Sequence, residues 1–151
     1  MNHQLSNAED ARLAGNYQEA KKGYLTIIDE GNQHSAEYGH ALRGIAEVFR
    51  MLEQYNESED YYNRAMEAYK STENLFGLGI VNLGLGQLLR HNNKITSAEE
   101  KIKRAIEFFN QANDTYGLAD AHIELGHLQL SRSNFEGAAE EFEHAQNYYS
   151  K

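Results

Sequence analysis

The sequence predicts an all-α fold, a right-handed superhelix (solenoid) of about four helix hairpins, and three observations lead to this prediction. The 151 residues include no proline, the residue that most often interrupts a helix. Alanine, leucine, glutamate, lysine and glutamine, which favour helix interiors, are abundant. A pattern of large and small residues recurs about every 40 residues. Repeats of this kind stack on their neighbours and bury one continuous core.

The repeat is most regular in the second half of each copy. Tyr55, Ile95 and Phe135 stand 40 residues apart, and Tyr17 precedes Tyr55 by 38. A small side chain follows each of them after three positions, and a large one follows after seven: Ala20, Ser58, Ala98 and Ala138, then Tyr24, Tyr62, Ile102 and Phe142. The small residues predict a close approach of paired helices, and the large ones fill the space beside them.

The first half of each copy carries a second column of residues. Ile45-Ala46, Leu85-Gly86 and Leu125-Gly126 align in it, whereas the first copy offers only Asn7-Ala8. Gly86 and Gly126 are therefore expected where helices cross, because a larger side chain would hold the helices apart. The opening helix is interpreted as the least typical one of the array.

Short polar segments separate the predicted helices along the chain. The turns within hairpins are Gly15-Asn16, Glu53-Gln54, His91-Asn92-Asn93 and Ser133-Asn134. The links between copies are rich in residues that cap helices or accept left-handed backbone. Between these segments the apolar residues recur at helical spacing, so we expect helices at residues 3–14, 17–30, 35–52, 55–70, 75–91, 95–111, 115–132 and 135–149. We interpret residues 1–151 as one domain with repeats at 1–34, 35–74, 75–114 and 115–151.

Composition argues against several classes of function. Lys and Arg number 14 against 23 Asp and Glu, and the net charge of −9 would repel nucleic acid and anionic membranes. No run approaches the roughly 20 apolar residues that span a bilayer, and Met1 to Asp10 does not resemble a signal peptide. We therefore expect a cytoplasmic location. The absence of cysteine excludes disulfides, thiolate metal sites and a cysteine nucleophile.

Two stretches carry a resemblance to a known family. The strings "LGLGQLLRHNNKITSAEEKIKRAI" and "ELGHLQLSRSNFEGAAEEFEHAQ" resemble tetratricopeptide repeats, and the likeness covers nearly the whole chain. The openings "NLFGLGIVNLGLG" and "DTYGLADAHIELG", together with the 40-residue period, look like the extended subclass of Pins-type adaptors and bacterial Rap-type and MalT-type regulators. The chain departs from the family in lacking the closing proline and the first-helix tryptophan, and in having Ser58 at an alanine position.

The resemblance implies a scaffold that binds a protein or peptide in a concave groove lined by the first helix of each pair. Arg12, Arg50 and Arg90 share one column, and guanidinium groups suit an acidic peptide, a free carboxylate or a phosphorylated segment. The alternative interpretation is that the arginines only pair with neighbouring acids such as Glu47. In the expected register the groove residues are Arg12, His40, Arg43, Glu47, Arg50, Ile80, Leu83, Gln87, Arg90, His91, Ile123 and His127.

Catalytic and metal chemistry are the weaker hypotheses. Glu-x-x-His strings begin at Glu37, Glu124 and Glu141, a spacing that di-iron helical bundles use. The predicted solenoid places these strings on different helix pairs, so neither a metal nor a cofactor is expected. No phosphate-binding loop, dinucleotide fingerprint or nucleophile elbow occurs, and we do not expect an enzyme. Three histidines of the groove could instead make binding sensitive to pH: His40, His91 and His127.

The last predicted helix supports a second hypothesis. It carries several apolar residues and ends close to Lys151, so part of its surface is expected to be exposed: Phe135, Ala138, Phe142, Ala145, Tyr148 and Tyr149. Such a surface could join copies of the chain into a homo-oligomer through the C-terminal helix. Assembly is thus the alternative to groove binding.

Overall fold

The computed structural model describes residues 3–151, and these residues form eight α-helices. Their bounds are α1 (His3–Leu13), α2 (Tyr17–Glu30), α3 (Ala36–Met51), α4 (Tyr55–Ser71), α5 (Leu75–His91), α6 (Ile95–Gln111), α7 (Thr115–Ser131) and α8 (Phe135–Tyr149). Every predicted helix is present, and no predicted boundary is wrong by more than one residue. The all-α prediction is confirmed.

Left-handed residues end most of the helices, as the polar turns predict. One residue with positive φ follows each of α1, α3, α4, α5, α6 and α7: Gly15, Glu53, Glu73, Asn93, Asn113 and Ser133. The next residue donates its N–H back to the last turn of the helix, as in the 2.8 Å bond from Gln54 to the Phe49 carbonyl. This pattern satisfies carbonyl groups that a helix end would otherwise leave without partners.

Side chains cap several helix starts. Ser35 Oγ accepts from the Tyr38 N–H at the start of α3, and Asp114 Oδ1 accepts from the Gly117 N–H at the start of α7 at 3.0 Å. Asn74 and Asn134 make the same kind of bond before α5 and α8. The linking segments therefore fix where each helix begins.

The chain forms two compact units that divide within α5, after Gly77. Unit 1 contains α1 to α4 and the first turn of α5, and unit 2 contains the rest of α5 and α6 to α8. The core of unit 1 is formed mainly by α1, α2 and α3, with these buried residues: Leu5, Ala8, Ala11, Ala20, Tyr24, Ile27, Ala41, Ile45, Val48 and Phe49. The core of unit 2 centres on Ile102 and Phe109 of α6. Interpretation of the chain as a single domain stays a prediction.

Glycine allows close helix crossings in both units. A Cβ added to Gly86 would lie 2.5 Å from Ile102 Cγ1 of the paired helix. A Cβ on Gly126 would meet the Phe142 ring, and one on Gly44 would meet the Tyr24 ring, in each case well inside contact distance. The predicted roles of Gly86 and Gly126 at helix crossings are therefore confirmed by the geometry.

Replacement of Gly44 by alanine tests this packing. The gain in helix propensity would normally stabilise the protein, but the new methyl group must displace the ring of Tyr24, which is fully buried. We expect Gly44→Ala to lower the free energy of unfolding by about 1–3 kcal/mol, measured by urea denaturation. Asn63→Ala, at an exposed position of α4, is the control and should change the free energy by less than about 0.5 kcal/mol. Equal effects of the two variants would contradict the crossing described here.

Candidate functional site

A network of charged side chains lies on α1 and α3, the first helices of the two hairpins of unit 1. Arg12 Nη2 is 2.6 Å from Glu9 Oε2, and Arg12 Nη1 is 3.0 Å from Glu47 Oε2. The other oxygen of Glu47 accepts from Arg43 Nη1 at 3.1 Å. Glu47 therefore bridges two arginines that come from different helices.

Tyrosines from the second helices support this network from the core side. The Tyr24 hydroxyl donates to Glu9 Oε1 at 2.6 Å and accepts from Arg12 Nε at 3.2 Å. The Tyr69 hydroxyl accepts from Arg43 Nε at 3.3 Å. Both tyrosines are buried, so their positions are fixed by packing. We call the following set the arginine network: Glu9, Arg12, Tyr24, His40, Arg43, Glu47 and Tyr69.

The charged members of the network are mostly buried but keep a small exposed fraction. The side chains of Arg12, Arg43 and Glu47 are 20%, 19% and 14% exposed. Burial alone would raise the pKa of Glu9, but hydrogen bonds from Arg12 and Tyr24 and the charges of the arginines hold it below 4.5. Burial and the bond to Glu9 raise the pKa of Tyr24. At neutral pH Glu9 therefore stays ionised, and the Tyr24 hydroxyl stays protonated and able to donate to it.

The arginines use their nitrogen atoms differently. Arg12 engages all three of its guanidinium nitrogens inside the network. Arg43 uses Nε and Nη1, and no side chain or carbonyl within residues 3–151 accepts a hydrogen bond from its Nη2. Arg43 thus presents a partly exposed donor that Glu47 and Tyr69 hold in place.

A spacing of 12 residues relates arginine to tyrosine. Arg12 donates to Tyr24, and Arg50 donates from Nε to the Tyr62 hydroxyl at 3.3 Å. The equivalent residue after Arg90 is Ile102, which has no hydroxyl to offer. Arg90, which lies in unit 2, instead pairs with a carboxylate of that unit.

That partner is Glu124 of α7. Arg90 Nε donates to Glu124 Oε2 at 3.1 Å, and Gln87 Nε2 donates to Oε1 at 3.0 Å. Glu124 is buried, and these two donors give each of its side-chain oxygens a hydrogen-bond partner. Within the described residues, neither terminal nitrogen of Arg90 donates to an acceptor. Arg90 is therefore oriented through one nitrogen only.

The other predicted groove residues occupy varied environments. Leu83 is 6% exposed and packs in the core of unit 2, with Ile80 partly buried against that core. Ile123 is half-buried, and His91 is exposed at the end of α5. His127 packs edge-on against the Phe142 ring, with centroids 5.6 Å apart. The polar part of the predicted groove thus forms defined clusters, while much of its apolar part packs within unit 2.

The Glu-x-x-His strings form no metal centre in the part of the chain that is described. No group of three or more histidine, aspartate or glutamate side chains in residues 3–151 could hold a metal ion. Glu141 instead accepts from His122 Nδ1 at 2.6 Å, and His122 lies outside the predicted motifs. The histidine and its carboxylate partner join α7 to α8.

Sequence reasoning identified the arginines but missed the groups that hold them. Glu9, Tyr24 and Tyr69 were not among the predicted groove residues, and each makes a hydrogen bond to an arginine of the network. Tyr24 had been interpreted as a packing residue only, and Tyr69 had not been singled out. The signal that identifies Tyr24 and Tyr62 is the 12-residue interval from arginine to tyrosine, which recurs in the first two copies.

Solved structures show a likeness to the whole fold. The crystal structure of BtubC (BKLC) from P. vanneervenii matches with a TM-score of 0.78 and 21% identity over 95% of this chain. This chain spans 60% of the length of BtubC. The crystal structure of MamA matches with a TM-score of 0.71 and 14% identity, over 97% of this chain and 77% of MamA. At these identities the likeness concerns the fold alone.

The comparison confirms the fold class, an all-α superhelical solenoid, and supports a tetratricopeptide-type fold. The structure of a MamA RS-1 ArsTM double mutant matches similarly, with a TM-score of 0.68 and 15% identity over 97% of this chain. No family model matches the sequence, and no curated protein matches it. None of the helices described in residues 3–151 combines the length and apolar character needed to cross a membrane.

Substitution of Glu47 tests whether the network is held together by its shared carboxylate. Glu47→Gln removes the charge that Arg12 and Arg43 share, and both arginines lose a charge-assisted partner. We expect the free energy of unfolding to fall by about 1.5–3 kcal/mol in urea denaturation. Glu67→Gln removes the exposed pair with Lys70 and should cost less than about 1 kcal/mol. A Glu47 variant as stable as the Glu67 variant would show that the network contributes little.

The pH dependence of stability tests His40, whose Nδ1 lies 2.8 Å from the Tyr69 hydroxyl. Burial, and secondly the charge of Arg43, lower the pKa of His40 below 6.5, while Glu9 and Glu37 oppose this shift. Below pH 6.5 the unfolded chain binds a proton that folded His40 does not, so stability falls as the pH drops through that range.

We therefore expect a His40→Gln variant to lose less stability than the wild type between about pH 7.5 and 5, as measured by thermal unfolding. His34→Gln, which removes an exposed histidine, is the matched control and should retain the wild-type slope. Identical slopes for the His40 variant and the wild type would contradict the assignment.

Proposed function

We propose that the chain is a protein-interaction scaffold that binds an acidic peptide segment or a free carboxylate on the surface of its first helices. The proposal rests on one observation, the hydrogen bonding of the guanidinium groups of Arg43 and Arg90. Internal carboxylates orient each arginine, while at least one terminal nitrogen of each has no acceptor within residues 3–151. An oriented cation binds a carboxylate with little loss of side-chain entropy.

The type of fold supports the proposal. Proteins that resemble the tetratricopeptide family generally bind a protein partner along the first helices, and Arg43 and Arg90 belong to α3 and α5. The extended repeat period further favours the subclass of Pins-type, Rap-type and MalT-type proteins. Fold alone does not define function, so the guest is assigned by the chemistry of the arginines. We propose a binding role without catalysis, in the cytoplasm.

The arginine network sets the preference for an acidic guest. The network balances the charges of Arg12 and Arg43 against those of Glu9 and Glu47, and all four carboxylate oxygens already accept from groups inside it. A basic segment would have to share these oxygens. A carboxylate would instead accept from Arg43 Nη2 without displacing Glu47. His40 lies beside this position and would add a positive charge on protonation, which favours an acidic guest at lower pH.

A peptide library tests the proposal. Random 12-residue peptides with a free C-terminal carboxylate would be selected on the wild-type protein, and the affinity of the best binder measured by fluorescence anisotropy. We expect selected peptides to be enriched in aspartate and glutamate. For each selected peptide, either Arg43→Gln in unit 1 or Arg90→Gln in unit 2 should weaken binding about tenfold or more. Arg43→Lys should recover only part of the loss, because lysine lacks the planar fork.

The control for this experiment is Arg104→Gln on α6, a second helix. Arg104 is exposed and stacks on the Phe108 ring 5.7 Å away, so its loss removes the same charge from a different surface. Selected peptides without acidic residues, or equal binding by the Arg43, Arg90 and Arg104 variants, would disprove the proposal. Circular dichroism and thermal unfolding establish that each variant is folded.

A second function, self-assembly through α8, is favoured by exposed aromatic residues. Tyr116, Phe135 and Tyr149 are 67%, 69% and 43% exposed on α7 and α8. Exposed aromatic side chains of this size are common at protein interfaces. Light-scattering mass over a range of protein concentrations distinguishes the two functions, because assembly through α8 requires a mass that rises with concentration.

A further inference from the structure

The last residue of each first helix is exposed to solvent in all four copies of the repeat. These residues end α1, α3, α5 and α7 in turn: Leu13, Met51, His91 and Ser131. They stand at equivalent places, 38 residues apart between the first two copies and 40 residues apart thereafter. Copies with further copies before and after them in the chain expose this position too. Its exposure is therefore a property of the repeat.

Unit 1 has large apolar side chains at this exposed position. Leu13 is 74% exposed and Met51 is 53% exposed, and both residues belong to unit 1. Single exposed apolar side chains are ordinary on protein surfaces, so the two residues are informative only if they extend a larger binding surface. Their positions on α1 and α3 meet this condition. We call Leu13 and Met51 the apolar pair.

The apolar pair continues the arginine network by one helical turn. Leu13 follows Glu9 by four residues, and Met51 follows Glu47 by four residues. Residues four apart lie on the same face of an α-helix. The ion pair between Arg12 Nη1 and Glu47 Oε2, at 3.0 Å, holds α1 beside α3 immediately before this turn. The apolar pair therefore lies next to the charged network on the surface of the first helices.

The donor that Arg43 presents lies about two helical turns before Met51. Within residues 3–151, Nη2 of Arg43 donates to no side chain or carbonyl, and Arg43 precedes Met51 by eight residues on α3. Eight residues correspond to about 12 Å along a helix axis. An extended peptide advances about 3.3 Å per residue, so it covers this distance in three or four residues.

We propose that the guest of unit 1 is an extended peptide with one large aliphatic side chain three or four residues away from the carboxylate that it presents. The carboxylate accepts from Arg43 Nη2, and the aliphatic side chain packs on the apolar pair. This inference rests on the proposed function, because Arg43 supplies the anchor. The second contact removes apolar surface of both partners from water, which a purely acidic peptide does not achieve.

The apolar pair also distinguishes unit 1 from unit 2. In unit 2 the equivalent helix ends carry His91 and Ser131, which offer no aliphatic surface. Methionine is unbranched and flexible, so Met51 adapts to aliphatic side chains of different shape. The guest of unit 1 is therefore defined by the spacing of an aliphatic residue from a carboxylate, and leucine, isoleucine or methionine each satisfies it.

Synthetic peptides with a single leucine test the spacing. Each peptide has ten residues of serine and glycine and a free C-terminal carboxylate, with leucine three, four or seven residues before the C-terminal residue, and one peptide has no leucine. Affinity is measured by NMR titration of the full chain, from the amide shifts of α3. We expect leucine at three or four residues to tighten binding about fivefold or more, and leucine at seven residues to change it less than about twofold.

Variants of the apolar pair locate the contact. Leu13→Ser and Met51→Ser should each remove most of the gain from leucine and leave the affinity for the leucine-free peptide unchanged. Met51→Leu keeps an aliphatic surface and should retain the gain. Phe76→Ser is the matched control, because Phe76 is 46% exposed in unit 1 but lies in the first turn of its helix, α5. It should change neither affinity.

The leucine-free peptide separates this inference from the proposed function. Its shifts on α3 should be lost in Arg43→Gln, and shifts that persist in that variant would contradict the proposed function at Arg43 together with this inference. Binding that depends on Arg43 but gains nothing from leucine would overturn the inference alone. Equal gains at three, four and seven residues, or a gain that survives both serine variants, would also overturn it, because the aliphatic contact would then lie elsewhere.

Discussion

Aromatic rings packed against the backbone of glycine residues set the separation of neighbouring helices in both units. Tyr24, Tyr69 and Phe109 each occupy a space that a single added methyl group on the facing helix would invade. The same contact fixes where the tyrosine hydroxyls point, and those hydroxyls position the arginines. Core packing and surface charge are therefore linked, because one side chain takes part in both.

This linkage explains how charged side chains on a partly exposed surface are ordered in one conformation. Most surface ion pairs contribute little, since two long flexible side chains must be ordered to form them. Here Arg12 is ordered by a buried phenol as well as by Glu9 and Glu47, and Arg43 is ordered by Tyr69. A guest carboxylate would meet a donor whose conformational entropy has already been lost on folding.

The helices could be predicted from the sequence almost to the residue, because polar turns and the repeat period define both ends of each element. The alignment of Arg12, Arg50 and Arg90 in one column could also be predicted, but most of the side chains that pair with them could not, because those lie on other helices. Arg90 pairs with Glu124, which is 34 residues away, and Ile102 occupies the position that carries a tyrosine in the first two copies. The burial of Leu83 could not be predicted either. A small rotation of a helix about its axis decides whether a residue at the edge of its apolar face points to the core or to solvent.

The pairing of tyrosine with a polar residue on the first helix limits how the hairpins can be exchanged. Tyr24 needs Glu9, and Tyr69 needs His40 or Arg43, whereas Phe109 is matched by Ile80. A duplication or recombination that moved one helix without its companion would leave a buried hydroxyl unmatched or set an aliphatic side chain against a phenol. The unit that evolution or an engineer can shuffle is thus the matched hairpin, although the helix is the smaller structural element.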